Sequence, residues 1–161
     1  MNNNNFHKRT NKYNLKEILE NKDTIYIFDI DGTLTDFNYD TRAFAEQIEQ
    51  PSDYKQIRPL KTLQKFIAEL NIDNVYSCSR SIFPEEQQSK TEFLVENYNI
   101  KPENIFYVYH NDDKIDIIKK IWKKTGVDSE LILVVEDNPS ILDRITLETN
   151  FSNIHISHFI K

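Results

Sequence analysis

Ile25-Tyr26-Ile27-Phe28-Asp29-Ile30-Asp31-Gly32-Thr33-Leu34-Thr35-Asp36 is the stretch that decides the fold. A largely apolar run, Ile25 to Phe28, ends on a carboxylate. A second carboxylate follows two places later, then Gly32, one of only 2 glycines in the chain. The unbroken run predicts a buried strand. Such a strand tolerates no unpaired charge, so Asp29 and Asp31 belong at its mouth, facing a cation or a ligand. Two carboxylates this close repel each other unless a divalent metal lies between them. A solvated Asp-Gly turn is common in general, but Asp-x-Asp-Gly-Thr-Leu-Thr behind an apolar strand is a far more specific pattern.

Outward from this turn, helical and strand patterns alternate. Tyr13 to Asn21 carries Leu15, Ile18 and Leu19 at helical spacing. Leu60, Leu63, Phe66, Ile67 and Leu70 mark an amphipathic helix that begins after Pro59. Val75 to Cys78 reads as a short strand, Pro84 to Tyr98 as a helix with Phe93 and Leu94 on its buried side, and Ile105 to Tyr109 as a third strand. Asp113 to Lys124 is the next helix, carrying Ile115, Ile118, Ile121 and Trp122. Leu131 to Val135 is wholly apolar, the pattern of a strand covered on both faces. Pro139 to Leu147 reads as a helix and Ile154 to Ser157 as a last edge strand. The alternation predicts an α/β fold: a three-layer, Rossmann-like parallel sheet with helices on both faces and right-handed crossovers. Ligands of such sheets bind at the carboxyl ends of the strands, so the functional residues are expected just after strands.

Bulk properties narrow the field. At 161 residues the chain is long enough for a sizeable core. It divides into an Asn-rich leader, 1–12, expected to be disordered, and a single domain, 13–161. A net charge of −6 and a pI near 5.2 argue against broad, non-specific binding to nucleic acid or anionic membrane. The single cysteine, Cys78, excludes an internal disulfide and fits a reducing, cytoplasmic setting. No apolar run approaches the length of a membrane span. With 2 glycines the chain cannot build a dinucleotide-binding loop.

The Asp29–Thr35 turn resembles the first motif of the haloacid dehalogenase (HAD) superfamily of phosphatases and phosphotransferases, and three shorter stretches continue the likeness. The resemblance implies that Asp29 is a nucleophile forming an aspartyl-phosphate, and that Asp31 protonates the leaving oxygen and later accepts a proton from water. Thr33, in the same turn, is placed among the substrate-binding residues. In Val75-Tyr-Ser-Cys-Ser-Arg-Ser81 a Ser is implied to bond the transferring phosphoryl group; Ser77 is preferred and Ser79 is the close alternative. Arg80 either clamps a substrate phosphate or sits in solvent. A lysine at a helix start is implied to balance the charge of phosphate and nucleophile. Lys114 is preferred over Lys119, which lies roughly 7.5 Å further down the helix at about 1.5 Å per residue. In Val134-Val-Glu-Asp-Asn-Pro-Ser140 the likeness closes a Mg²⁺ site made by Asp29, the Asp31 carbonyl and Asp137, with Glu136 a direct or water-mediated ligand. Many relatives have another acidic residue three or four places on; here Ser140 and Ile141 stand there. Cys78 reads as a buried strand thiol, the histidines as scattered, and Asp112-Asp113 as a charge pair at a helix start.

Neither the gap from Phe37 to Ile57 nor the one between the second and third motifs has room for a folded cap, which implies the small capless class with an open site. Two refinements compete. Lys90-Thr-Glu-Phe-Leu94 with Glu136-Asp137-Asn-Pro is faintly similar to deoxyribonucleotidase-like members. Arg42, Ser-x-x-Arg80 and Asp116-Ile-Ile-Lys119 are similar to the phosphatase domain of polynucleotide kinase 3′-phosphatases. The expected substrate is thus a small phosphorylated molecule or a nucleic-acid terminus, with no membrane partner and an oligomeric state left open. A response-regulator receiver is disfavoured, because its phosphoacceptor Asp follows a later strand than its acidic pair. A catalytically silent HAD-fold binding or regulatory module stays as the alternative.

Overall fold

The computed structural model describes residues 11–36, 54–55 and 57–160. Residues 1–10 of the expected leader, Arg42 and most of the gap after the first motif lie outside the described residues. Five strands form one parallel sheet: β1 (Ile25–Phe28), β2 (Val75–Arg80), β3 (Ile105–Val108), β4 (Ile132–Glu136) and β5 (Ser152–His155). Their order is β3-β2-β1-β4-β5. From β1 the chain steps out to β2 and β3, then crosses back to lay β4 on the other side of β1. The order reverses at the β1/β4 boundary, so the crevice between outgoing crossovers opens above the ends of these two strands.

The helices divide between the two faces as the apolar pattern requires. α1 (Leu15–Glu20), α2 (Lys61–Ala68) and α3 (Pro84–Tyr98) supply Ile18, Leu63, Ile67, Phe93 and Leu94 to a core layer that includes Tyr26, Phe28, Leu133 and Val135 of the sheet. α4 (Lys114–Thr125) and α5 (Pro139–Glu148) bring Ile115, Ile118, Ile121, Ile141 and Ile145 against Ile25, Ile27, Ile132 and Val134. Alternate residues of each strand therefore enter opposite layers, and both faces of β1 and β4 are buried. Truncating a fully buried side chain such as Leu63 is expected to cost about 2–5 kcal/mol. No separate cap is built by the described residues, and no helix among them is long and apolar enough to cross a membrane.

Local chemistry sets the element ends. Asn14 caps α1 by accepting from the Glu17 amide at 2.8 Å while the Glu17 carboxylate takes the Asn14 N–H at 3.2 Å, a reciprocal capping box. Pro84 opens α3, and Asn99 closes it in the left-handed region at φ 56°. Two sequence expectations shift. β2 runs on to Arg80, which registers with Val108, so Ser79 and Arg80 end the strand instead of following it. β5 comes two residues early: His155 Nδ1 accepts the Ser157 amide at 3.1 Å and turns Ile156–His158 out of the sheet as a 3₁₀ turn.

Candidate active site

The turn after β1 is wound around one carbonyl. Ile30 O accepts from the amides of Thr33 (3.1 Å), Leu34 (2.9 Å) and Thr35 (3.3 Å). Closing so tightly demands a positive φ, and Gly32 supplies it at 75° without the penalty a Cβ would carry. The turn thereby ends β1 abruptly and leaves Asp29 as the first residue beyond it. The Asp29 amide still continues the sheet ladder, donating to Val135 O at 3.0 Å, which holds Asp29 beside Glu136 at the end of β4.

Lys114, the first residue of α4, joins the two strand ends. Its Nζ donates to Asp29 Oδ1 at 2.9 Å and to Glu136 Oε2 at 3.0 Å. The three side chains are only 5%, 8% and 3% exposed respectively, so their charges meet in a low-dielectric crevice. Thr33 Oγ1 donates to the other Asp29 oxygen at 3.3 Å, which places the hydroxyl on the carboxylate itself. Glu136 Oε1 accepts from the amides of Asp137 and Asn138, each at 3.3 Å. Lys119 is exposed on the same helix, so only Lys114 of the two candidate lysines enters the cluster.

Opposing influences shape the ionisation here. Burial alone would raise Asp29, but the charge of Lys114 and its hydrogen bond hold the carboxyl below its ordinary value. Burial alone would lower Lys114, yet Asp29 and Glu136 together raise it. Glu136 goes the other way: buried and beside the Asp29 charge, it is pushed up to about 9. One ammonium cannot balance every carboxylate in the crevice.

That imbalance bears on the metal. One oxygen from each of Asp29, Glu136 and Asp137 lies within 4.8 Å of the others. Oxygens around an octahedral Mg²⁺ at about 2.1 Å are roughly 3 Å apart along an edge and roughly 4.2 Å across. The spacing, the all-oxygen donor set and the excess of negative charge therefore fit a hard divalent cation. Glu136, with both oxygens engaged by Lys114 and backbone amides, fits less well as a direct ligand than Asp29 and Asp137.

Asp31 is held separately. Lys90 Nζ donates to Asp31 Oδ2 at 3.0 Å, and the Tyr54 hydroxyl donates to Oδ1. Lys90 comes from the middle of α3 and is 0% exposed. Its charge also reaches Asp29, where it helps to lower the carboxyl pKa.

β2 separates the remaining candidates by its alternation. Cys78 lies in the layer with Ile25 and Ile27, the side of the sheet to which Asp29 belongs. Its thiol is pushed up to about 12 by burial, so it is neutral near physiological pH. Ser77 and Ser79, one residue to either side, point into the α3 layer, and neither Oγ meets a hydrogen-bond partner among the described residues. The structure thus brings neither serine onto the face of the Asp29 carboxylate. Arg80 is exposed at the strand end, its Nε donating to Tyr109 O at 3.2 Å. Asp112 and Asp113 do stand at the start of α4; Asp112 also pairs with Arg144 at 2.9 Å, and Asp113 is the N-cap residue without a side-chain cap bond.

No family model matches the sequence, and no curated protein matches it. Among solved structures, the chain is similar to the HAD domain of the effector protein Lem4 from Legionella pneumophila. The likeness has a TM-score of 0.48 and 18% identity, covering 82% of this chain and 84% of that one. An inactive mutant of the same domain gives 0.48 and 17% over the same shares. At that distance nothing about activity passes from one protein to the other.

Three residues were given no site role by the sequence reading. Tyr54 lies 23 positions after its partner Asp31 and carries no local signature. His155 reaches across from β5: its Nδ1 accepts from the Ser157 amide, so Nε2 bears the proton and donates to Asp137 O at 3.2 Å. Only sheet pairing brings it there. Lys90 did leave a signal, because it precedes Phe93 and Leu94 by three and four residues and so stands on the buried stripe of α3.

Proposed function

We propose that the chain is a Mg²⁺-dependent phosphomonoester hydrolase of the HAD type, working through an aspartyl-phosphate on Asp29. The observation that carries this reading is the bridge from Lys114 to Asp29 and Glu136 at the switch point of the sheet, with Asp137 alongside. A carboxylate kept ionised in a buried, cation-ready crevice is an oxygen nucleophile with little else to do. In the first step an Asp29 oxygen bonds to phosphorus as the ester P–O bond breaks, and Asp31 gives its proton to the departing alkoxide. In the second, water bonds to phosphorus while Asp31 takes back a proton; the Asp29–phosphorus bond breaks and inorganic phosphate leaves.

Lys114 and Thr33 hold the attacking carboxylate in place through both steps. Mg²⁺ held by Asp29, Asp137 and the Asp31 carbonyl, with Glu136 behind them, would neutralise charge on the phosphoryl oxygens. Arg80 stands exposed at the end of β2, where a substrate phosphate or a nucleic-acid terminus can meet its guanidinium. A cytoplasmic setting suits the chemistry, with millimolar Mg²⁺ and a free thiol beside the nucleophile.

Hydrolysis of p-nitrophenyl phosphate, with and without EDTA, by wild type and Asp29→Asn tests the reading. Turnover is expected only in wild type with Mg²⁺ present. Equal hydrolysis by every sample contradicts it. Metal-bound protein without turnover on this compound or on nucleotides, sugar phosphates and 3′-phosphorylated oligonucleotides supports the catalytically silent module instead.

A further inference from the structure

Lys90 is the most deeply buried charged residue described, and nothing in the first motif explains why an ammonium should stand there. Its Nζ donates to Asp31 Oδ2 at 3.0 Å and to the Arg80 carbonyl at 2.8 Å, and it forms an ion pair with Glu86 Oε1 at 3.3 Å. The ammonium also lies 5.5 Å from the centre of the Tyr54 ring, whose hydroxyl takes the second Asp31 oxygen. Glu86 is in turn fixed by the Ser81 hydroxyl at 2.9 Å, and Gln87 donates to Ser81 O at 3.0 Å, so α3 is pinned to the end of β2.

A lysine whose only task was to fasten α3 to the sheet would be a poor choice. An apolar side chain on the same stripe, beside Phe93 and Leu94, would pack as well without the cost of burying charge. The charge instead faces two carboxylates, Glu86 of its own helix and Asp31 of the first motif, and only Asp31 belongs to the site. Lys90 and Tyr54 each occupy one lone pair on an Asp31 oxygen, which removes the carboxyl's freedom to turn about its terminal bond and leaves a second lone pair on each oxygen to carry the transferred proton. Being wholly shielded from solvent, Lys90 has no route to a substrate phosphate.

We propose that Lys90 and Tyr54 are positioning residues that fix the Asp31 carboxyl for proton transfer to the leaving oxygen. The inference rests on the phosphatase reading above and adds to it a dependence on α3 and on the segment after the first motif. A group that positions the acid matters in proportion to how much the leaving oxygen needs a proton. p-Nitrophenolate departs readily without one, whereas an unactivated phenolate or alkoxide does not.

The test compares kcat/KM for p-nitrophenyl phosphate and phenyl phosphate, which reports the steps through phosphoryl transfer. Lys90→Met is expected to lose about 100-fold on phenyl phosphate and only a few-fold on p-nitrophenyl phosphate. Tyr54→Phe keeps the ring under the ammonium and removes only the hydroxyl. It is expected to show the same bias, about 10-fold against little change, and keeps the test decisive if Lys90→Met does not fold. In an Asp31→Asn background neither substitution should add any substrate bias, because the group they position is gone. Equal losses on both esters, or a bias that persists without Asp31, would overturn the inference and leave Lys90 as an anchor of α3. A wild type that releases phosphate with Mg²⁺ present from neither ester, nor from the nucleotides, sugar phosphates and 3′-phosphorylated oligonucleotides named above, would refute the phosphatase reading itself, and this inference with it.

Discussion

The crevice holds two buried lysines, and they stand in different company. Lys114 lies on the α4 side of the sheet, where Asp29, Glu136 and Asp137 bring three carboxylates to one ammonium. Lys90 lies on the α3 side, where it faces Asp31 and Glu86 and also donates to a neutral carbonyl. The first group keeps an excess of negative charge that a bound cation can offset, and that without one holds a proton on Glu136. The second is closer to balance and is tied down at every atom. One side of the sheet is built to receive a ligand, and the other is built to hold a side chain still.

The contrast can be broken by mutation. The largest stability effect is expected from Lys114→Met, which strands the Asp29 carboxylate as an unpaired, almost solvent-free charge and leaves Glu136 without its hydrogen-bonding cation. A loss of about 3–5 kcal/mol should be measured by denaturant unfolding without metal. Added Mg²⁺ should restore part of it, whereas an unaltered midpoint would show that the cluster is not coupled as described. Lys90→Met is expected to cost less, about 1–3 kcal/mol, because Asp31 and Glu86 are 17% and 13% exposed and water can reach them. Mg²⁺ should recover none of that loss.

A third difference concerns pH. Glu136 is raised from 4.5 to about 9 by its burial and by Asp29, while Lys114 pulls it down and Asp137 adds to the rise. In the folded protein it therefore keeps a proton that the unfolded chain has released, and stability drains away as pH climbs from 4.5 towards about 9. Asp29, held below its ordinary value, loses its contribution only in acid, outside this window. The melting temperature of the metal-free protein should fall between about pH 6 and pH 9, and saturating Mg²⁺ should flatten the slope. A slope unchanged by Mg²⁺ would place the cation elsewhere. The smallest effect belongs to Lys119→Ala: this exposed lysine should change stability by under about 0.5 kcal/mol and leave phosphate release intact.

How much of this was legible follows from where each signal lies. β1 and α3 begin and end where their residues predict, because an unbroken apolar run and a Pro-opened helix are local patterns. Asp29, Lys114 and Asp137 could be drawn to one site because parallel topology sends strand ends to one edge. The serines were harder. A resemblance to a motif fixes a stretch of chain, but a strand reverses its side chains at every residue, and a slip of one position exchanges Cys78 for Ser77 or Ser79. Tyr54 and His155 were out of reach, since their partners are set by the path of the chain between elements. Lys90 was legible in principle as a cation on an apolar stripe; it was quoted only within Lys90-Thr-Glu-Phe-Leu94 and given no role.

The claim on which the account depends is that Asp29 and Asp137 share a divalent cation. Titration of the metal-free protein with Mn²⁺, followed by electron paramagnetic resonance, measures this directly, with Asp137→Asn as the comparison. The account predicts a saturable wild-type site that Mg²⁺ displaces, and at least about a tenfold weaker one in the variant. Equal affinity in the two proteins, or no saturable site in either, would contradict it.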